Sequence, residues 1–279
     1  MTRQFIHTFS FTFVFCLVST FPLSAALTVR GRSPVAEKLV AAVIRADYQG
    51  DRAALARLET ELGTVPKNPA TDARVAYWRG FALWRRTING FNDSAPPAEL
   101  DADLVRAIAH FDDSAKQDPS FAEPVIGKLS CLGYRAFLAR GNAPLSSEIL
   151  AEYKTAIAAG QRMARDNPRF VWAVGPSQWY IASTLPEAER PARQAAVIES
   201  YEKALATARA EKSSSAATLM PTWGEPELLM NIAWSHLNKS SPDPVLADKY
   251  AREALALVPD WRYVREILLP QIAKTVKGA

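Results

Sequence analysis

The residues able to do chemistry are few and far apart. Beyond residues 1–26 only two histidines remain, His110 and His236, with one cysteine, Cys131. That is too small a set of soft ligands for a zinc site. Neither histidine has a carboxylate at a telling spacing. His110 precedes Phe111-Asp112-Asp113 and reads as part of a helix surface, where adjacent acids point in different directions. No G-x-S-x-G, H-E-x-x-H, G-x-G-x-x-G or phosphate-cradling Gly-Lys loop occurs. The expectation is therefore no enzyme, no cofactor and no metal; a hydrolase or lyase assembled from acids on distant helices is the reading that a pocket with converging carboxylates would revive. Cys131, between Leu129 and Leu132, reads as a buried, inert thiol.

What the chain carries instead is contact surface. Its seven tryptophans are Trp78, Trp84, Trp172, Trp179, Trp223, Trp234 and Trp261, joined by Tyr77, Phe81, Tyr134, Phe137 and Tyr180. Aromatic faces offer large area with few rotatable bonds, and arginine grips a carboxylate in a fork. That chemistry suits recognition.

The elements that must position these residues are helical. Ala, Leu, Glu, Arg and Lys dominate, and no run of alternating β-branched residues is present. The hydrophobic fraction of 48% and charged fraction of 22% are those of a globular chain, and the net charge of +4 is spread among alternating acids and bases. No basic cluster forms, which argues against nucleic acid. Residues 1–26 read as a signal peptide: Arg3, a mostly apolar run from Phe9 to Phe21, and Ser24-Ala25-Ala26 before a cleavage point after Ala26. The run falls short of the ~20 apolar residues of a comfortable span, so no stable membrane span is expected after cleavage. Cys16 follows Phe13-Val14-Phe15, bulky residues that do not suit lipidation. The expected location is periplasmic or secreted.

Residues 27–33 form a linker, and 34–279 a single helical domain. Ser33-Pro34 starts a helix to Gly50, and Asp51 caps a second that stops at Gly63. Helices follow over about 71–88, 98–117, 121–139 and 146–165, separated by the Asn89–Pro97 loop and the breaker Gly141-Asn142-Ala143-Pro144. Gly175-Pro176 should break or sharply kink the helix over 170–184. A strong helix covers 189–210, a Ser/Ala-rich loop 212–222, two helices 223–238 and 244–258, and a last helix 261–274.

One spacing occurs twice. Ala107, Phe111, Ser114 and Pro119 stand at offsets of four, three and five, as do Ala247, Ala251, Ala254 and Pro259. Small residues at this spacing line a helix stripe against which another helix can lie close, and the proline ends the helix. This resembles the tetratricopeptide repeat (TPR) family over about Thr71 to Pro259, most specifically in 223–259. The resemblance implies an all-α, TPR-like α-solenoid of antiparallel helix pairs, with helix 261–274 as its cap. In that family the first helix of each pair lines a concave groove. The phase of Gly80 then puts Arg74, Tyr77, Phe81, Trp84 and Arg85 there. Gly133 adds Ser130, Tyr134 and Phe137, and Ala233 adds Glu227, Met230, Trp234 and Asn238. Trp179 is a further candidate. That the aromatics instead fill the space between helix layers stays open. Trp223 and Glu225 read as a turn and helix start, or as the groove rim.

Gly175-Pro176-Ser177-Gln178-Trp179 ahead of Tyr201-Glu202-Lys203-Ala204-Leu205 also resembles the helical T component of TRAP-type transporter systems, which is thought to pair with a solute-binding protein. The expected function is non-enzymatic binding of a peptide, a protein partner or a solute-binding protein through a concave aromatic groove. An envelope-assembly scaffold acting through its loops and convex face is the alternative.

Overall fold

The computed structural model describes residues 32–211 and 219–278. The expected signal segment 1–26, its cleavage point and most of the linker lie outside the described residues, as does 212–218 of the Ser/Ala-rich loop. Every regular element among the described residues is helical. In chain order these are α1 (Pro34–Gln49), α2 (Arg52–Gly63), α3 (Asp72–Asn92), α4 (Pro97–Gln117), α5 (Glu123–Leu138), α6 (Ala143–Met163), α7 (Pro168–Thr184), α8 (Arg190–Glu211), α9 (Glu225–Asn238) and α10 (Pro244–Leu257). A π-helical turn, Tyr263–Leu268, then leads into α11 (Leu269–Gly278). No helix among the described residues is long and apolar enough to cross a membrane.

The expected caps form. The Ser33 hydroxyl accepts the Ala36 N–H at 3.4 Å, and the Asp51 carboxylate accepts that of Ala54 at 2.8 Å. Between them Gly50 takes φ 70°, a left-handed conformation that costs an L side chain free energy. The chain thereby reverses within two residues and lays α2 back on α1.

Consecutive helices pack on one another, α6 and α7 only through side chains such as Tyr153 on Ser177 at 2.8 Å, and the odd-numbered helices also pack together: α1 on α3, α3 on α5, α5 on α7, α7 on α9. The small-residue stripes sit at these contacts. Ala107, Phe111 and Ser114 are fully buried on α4, and Ala247, Ala251 and Ala254 on α10. The Ser114 hydroxyl donates to the Ala73 carbonyl at 2.6 Å. A Cβ at Gly80 would lie 2.9 Å from the Phe111 ring and 3.0 Å from the Ala107 carbonyl oxygen, so the glycine sets the α3–α4 approach.

The first described helix also meets the C-terminal part of the described residues. The Tyr48 hydroxyl on α1 donates to Glu227 on α9 at 2.8 Å, and the Tyr48 ring packs edge-on against Trp261 at 5.1 Å. Arg262 pairs with Asp93, at the end of α3, at 3.0 Å. Ion clusters fasten neighbouring layers. Buried Glu59 on α2 accepts Arg79 at 2.6 Å, Arg106 at 2.7 Å and His110 at 3.0 Å. His110 thus belongs to a three-helix ion cluster and not to a bare surface run.

Two local expectations are corrected. Gly175-Pro176 does not break its helix: α7 runs through Pro176. A Cβ at Gly175 would come within 1.9 Å of the Tyr201 hydroxyl, so α8 lies directly on this backbone and holds it. Burial of Trp172, Ala173, Trp179 and Ala182 offsets the hydrogen bond that the proline removes, a loss of about 3 kcal/mol. The Asn89–Pro97 loop is also shorter than expected, because α3 continues to Asn92. Asn89 is drawn into the helix by its amide, which donates to the Asp47 side chain at 3.0 Å and the Arg85 carbonyl at 3.1 Å.

Candidate functional site

The expected concave line divides. Tyr77, Phe81, Trp84 and Arg85 do come together on α3, but they are at most 3% exposed. They line no open groove. The chain covers them itself, with Leu219 and the Trp223 side chain ahead of α9. Trp78 Nε1 donates to the Leu219 carbonyl at 2.9 Å, and Trp223 Nε1 to the Tyr77 hydroxyl at 2.9 Å. The Trp223 ring lies 5.7 Å from Phe81, 5.7 Å from Trp84 and 5.5 Å from Trp172. Arg85 is spent on two carboxylates: its Nε donates to Asp47 at 2.6 Å, and Nη2 lies 3.8 Å from Glu227. Burial, with the Glu227 charge, outweighs Arg85 and pushes the Asp47 carboxyl up to about 6. Glu227 is itself sealed, and its second oxygen accepts the Gly224 N–H at 2.8 Å. Its place at the start of a helix gave no sign of this, since Tyr48 lies 179 residues away.

The other expected groove residues are dispersed. Arg74 pairs with Asp118 and lies 4.5 Å over the Phe121 ring. Trp179 is buried against Trp234 at 5.5 Å, with Trp234 and Met230 half-buried. Tyr134 packs on Phe91 at 5.4 Å, and Phe137 beyond it is exposed. These aromatics form interlayer contacts rather than one continuous stripe.

An open furrow lies elsewhere, between α8 and the α9–α10 pair. One part, about 380 Å³, is lined by Gln194, Ile198, Glu199, Glu202, His236 and Lys239, with Ser240 and Ser241 at its edge. A second, about 470 Å³, shares Glu202 and continues past Arg209, Lys249, Tyr250 and Glu253. His236 is its most unusual member. It is only 6% exposed, yet neither ring nitrogen has a hydrogen-bond partner. Its ring stacks on Tyr250 at 5.8 Å, 5° from parallel, and the Tyr250 hydroxyl donates to Glu202 at 3.2 Å. Burial and the Lys239 charge lower the His236 pKa, against Asp243 and Glu202, so the ring is neutral at physiological pH. It then carries one donor and one acceptor on opposite flanks of the ring, both closed to solvent. Gln194 is fixed beside it, its oxygen accepting the Ser240 N–H at 2.8 Å and hydroxyl at 2.9 Å.

Sequence reasoning set His236 aside for want of a nearby carboxylate. Glu202 reaches it from another helix, and the one signal in the sequence was phase: on α9 His236 is two residues from Trp234 and so points to the other side. Among the described residues no group of three or more His, Cys, Asp or Glu could hold a metal ion. Cys131 is buried, and burial raises its thiol well above its ordinary range. Comparison with known proteins finds no matching family model, no matching curated protein and no matching solved structure.

Proposed function

We propose that this chain is an exported, TPR-like α-solenoid that binds a peptide segment of a partner protein without chemistry of its own, and that it does so through the α8–α10 furrow. The observation that carries this reading is the open furrow together with His236 in its wall, a neutral imidazole whose two nitrogens are unpartnered and closed to solvent in the free chain, so that a ligand reaches them only by displacing their cover. A peptide backbone presents the matching acceptor and donor on separate peptide units. Ile198, Ala195 and Pro191 give an apolar floor, and Lys239, Lys249 and Arg209 alternate with Glu199, Glu202 and Glu253 along the walls. The alternate-helix packing and the buried small-residue stripes support the solenoid reading, and Arg3 with the Phe9–Phe21 run supports export. A transporter solute-binding protein is one partner of this chemistry.

The test is capture from the envelope fraction of the exporting cell, with three baits in parallel: the mature chain, His236→Phe and Trp234→Ala. A protein recovered by the parent and by Trp234→Ala, and lost with His236→Phe, fits the furrow. Equal recovery by all three baits overturns it, and loss confined to Trp234→Ala returns the site to the half-buried aromatics.

A further inference from the structure

Three buried N–H groups in the interior share one defect. Arg85 Nη1, Trp84 Nε1 and Trp172 Nε1 are sealed from solvent, and none has an acceptor. They belong to side chains in mutual contact. The Trp84 and Trp172 rings lie 5.7 Å apart, and the Arg85 guanidinium lies 5.9 Å from one and 5.6 Å from the other. Few buried donors in a folded protein go unpaired, and each that does costs the full desolvation penalty. Three together, all donors, call for a common acceptor. From this cluster of unpaired donors we infer that the Arg85–Trp84–Trp172 junction is a binding site for one small, uncharged oxygen acceptor.

Charge decides that the acceptor is neutral. Arg85 is the cation of this junction and already faces Asp47 and Glu227. A carboxylate or phosphate would add a third negative charge where the second is already held at a disadvantage, as the raised Asp47 carboxyl records. Arg85 thus grips carboxylates of its own chain and leaves no charge for an anionic ligand. Water is the smallest acceptor of this class. The carbonyl or hydroxyl oxygen of a bound organic molecule is the other source.

The experiment uses the mature chain with ¹⁵N-labelled indoles, the Trp84 and Trp172 signals being assigned with Trp84→Phe and Trp172→Phe. A bound water gives a water–indole Overhauser cross-peak at both N–H groups and no added mass by native mass spectrometry. An organic occupant gives added mass, and a shift of both signals once it is stripped by unfolding and refolding. In a second arm, β-(3-benzothienyl)alanine replaces either tryptophan, keeping the ring shape and deleting the N–H. A shared acceptor loses a donor, so the melting midpoint falls by about 2–4 °C. The inference is overturned if neither cross-peak nor mass is found, in which case the N–H groups rest on neighbouring indole faces. It is equally overturned if the analogue raises the melting midpoint, which would show that the donors were uncompensated.

Discussion

The α3 line and the α8–α10 furrow carry comparable chemistry, aromatic rings beside charged and polar groups, yet one is closed and the other open. Leu219 and Trp223 make the difference. They cap the α3 aromatics, and the Tyr48–Glu227 bond and the Tyr48–Trp261 contact tie α1 to α9 and Trp261 around them. His236 is also buried, under the Tyr250 ring, but the furrow beside it stays open. Inward-facing aromatic residues on packed helices are therefore groove or core according to whether later residues of the chain come to lie over them. In this chain the interior arginine found two carboxylates, while the histidine of the furrow found no partner.

Removing Arg85 breaks the closed region most severely. Arg85→Met leaves Asp47 and Glu227 facing each other without a cation, and loss of one partner from a buried charge group costs about 3–5 kcal/mol. Urea unfolding should show that loss. Adding Asp47→Asn should recover part of it, and equal midpoints for the single and double variants would mean the two carboxylates do not share the arginine.

Gly80→Leu and Ala233→Leu test the packing beneath both regions. The first drives a side chain into Phe111 and the Ala107 carbonyl, and the second enlarges a fully buried position on α9. Overpacking of this kind costs about 1–3 kcal/mol, so both melting midpoints should drop. If both hold, the helix pairing described here is wrong.

The closed region also has a pH signature of its own. Burial lifts the folded Asp47 pKa to about 6 from an ordinary 3.8, so folding takes up a proton. Its contribution to stability is complete below the unfolded value and is lost as pH rises through about 6, on the order of 3 kcal/mol. Glu59 acts in the opposite sense and in a lower window. Burial alone would raise its carboxyl, but hydrogen bonds from His110 and Arg79, with the Arg79 and Arg106 charges, bring it to about 2. That stability is present above about 4.5 and falls away toward pH 2. Melting curves from pH 7 to pH 2 should rise and then fall. Asp47→Asn should flatten the first limb and Glu59→Gln the second.

These contrasts show what the sequence could and could not reveal. Local signals were legible: Ser33 and Asp51 as caps, Gly50 as the turn, and the stripes through Ala107 and Ala247 as packing faces all follow from near-neighbour geometry. The continuity of α7 was not, because the force holding Pro176 in a helix comes from Tyr201 on α8. The fate of Tyr77, Phe81, Trp84 and Arg85 was hidden for the same reason at longer range. Helical phase says which way a side chain points, and only the path of the chain near Trp223 says what it meets. His236 was visible as a residue and invisible as a site, since Glu202 and Gln194 reach it from a separate helix.

The smallest effect on stability is expected where the effect on binding is largest. His236→Phe keeps the ring stacked on Tyr250 and removes two nitrogens that the folded chain leaves unpaired, so stability should change by less than about 1 kcal/mol, with a gain as the expected sign. Affinity for a peptide that uses both nitrogens should fall about tenfold, the equivalent of about 1.4 kcal/mol. The two readouts separate the roles. A residue kept for packing loses stability when changed, as Arg85 does, whereas a residue kept for recognition loses only its ligand. Titration calorimetry of His236→Phe beside its melting curve makes that distinction. A marked drop in melting temperature would place His236 with the closed interior after all, through hydrogen bonds that form only in solution.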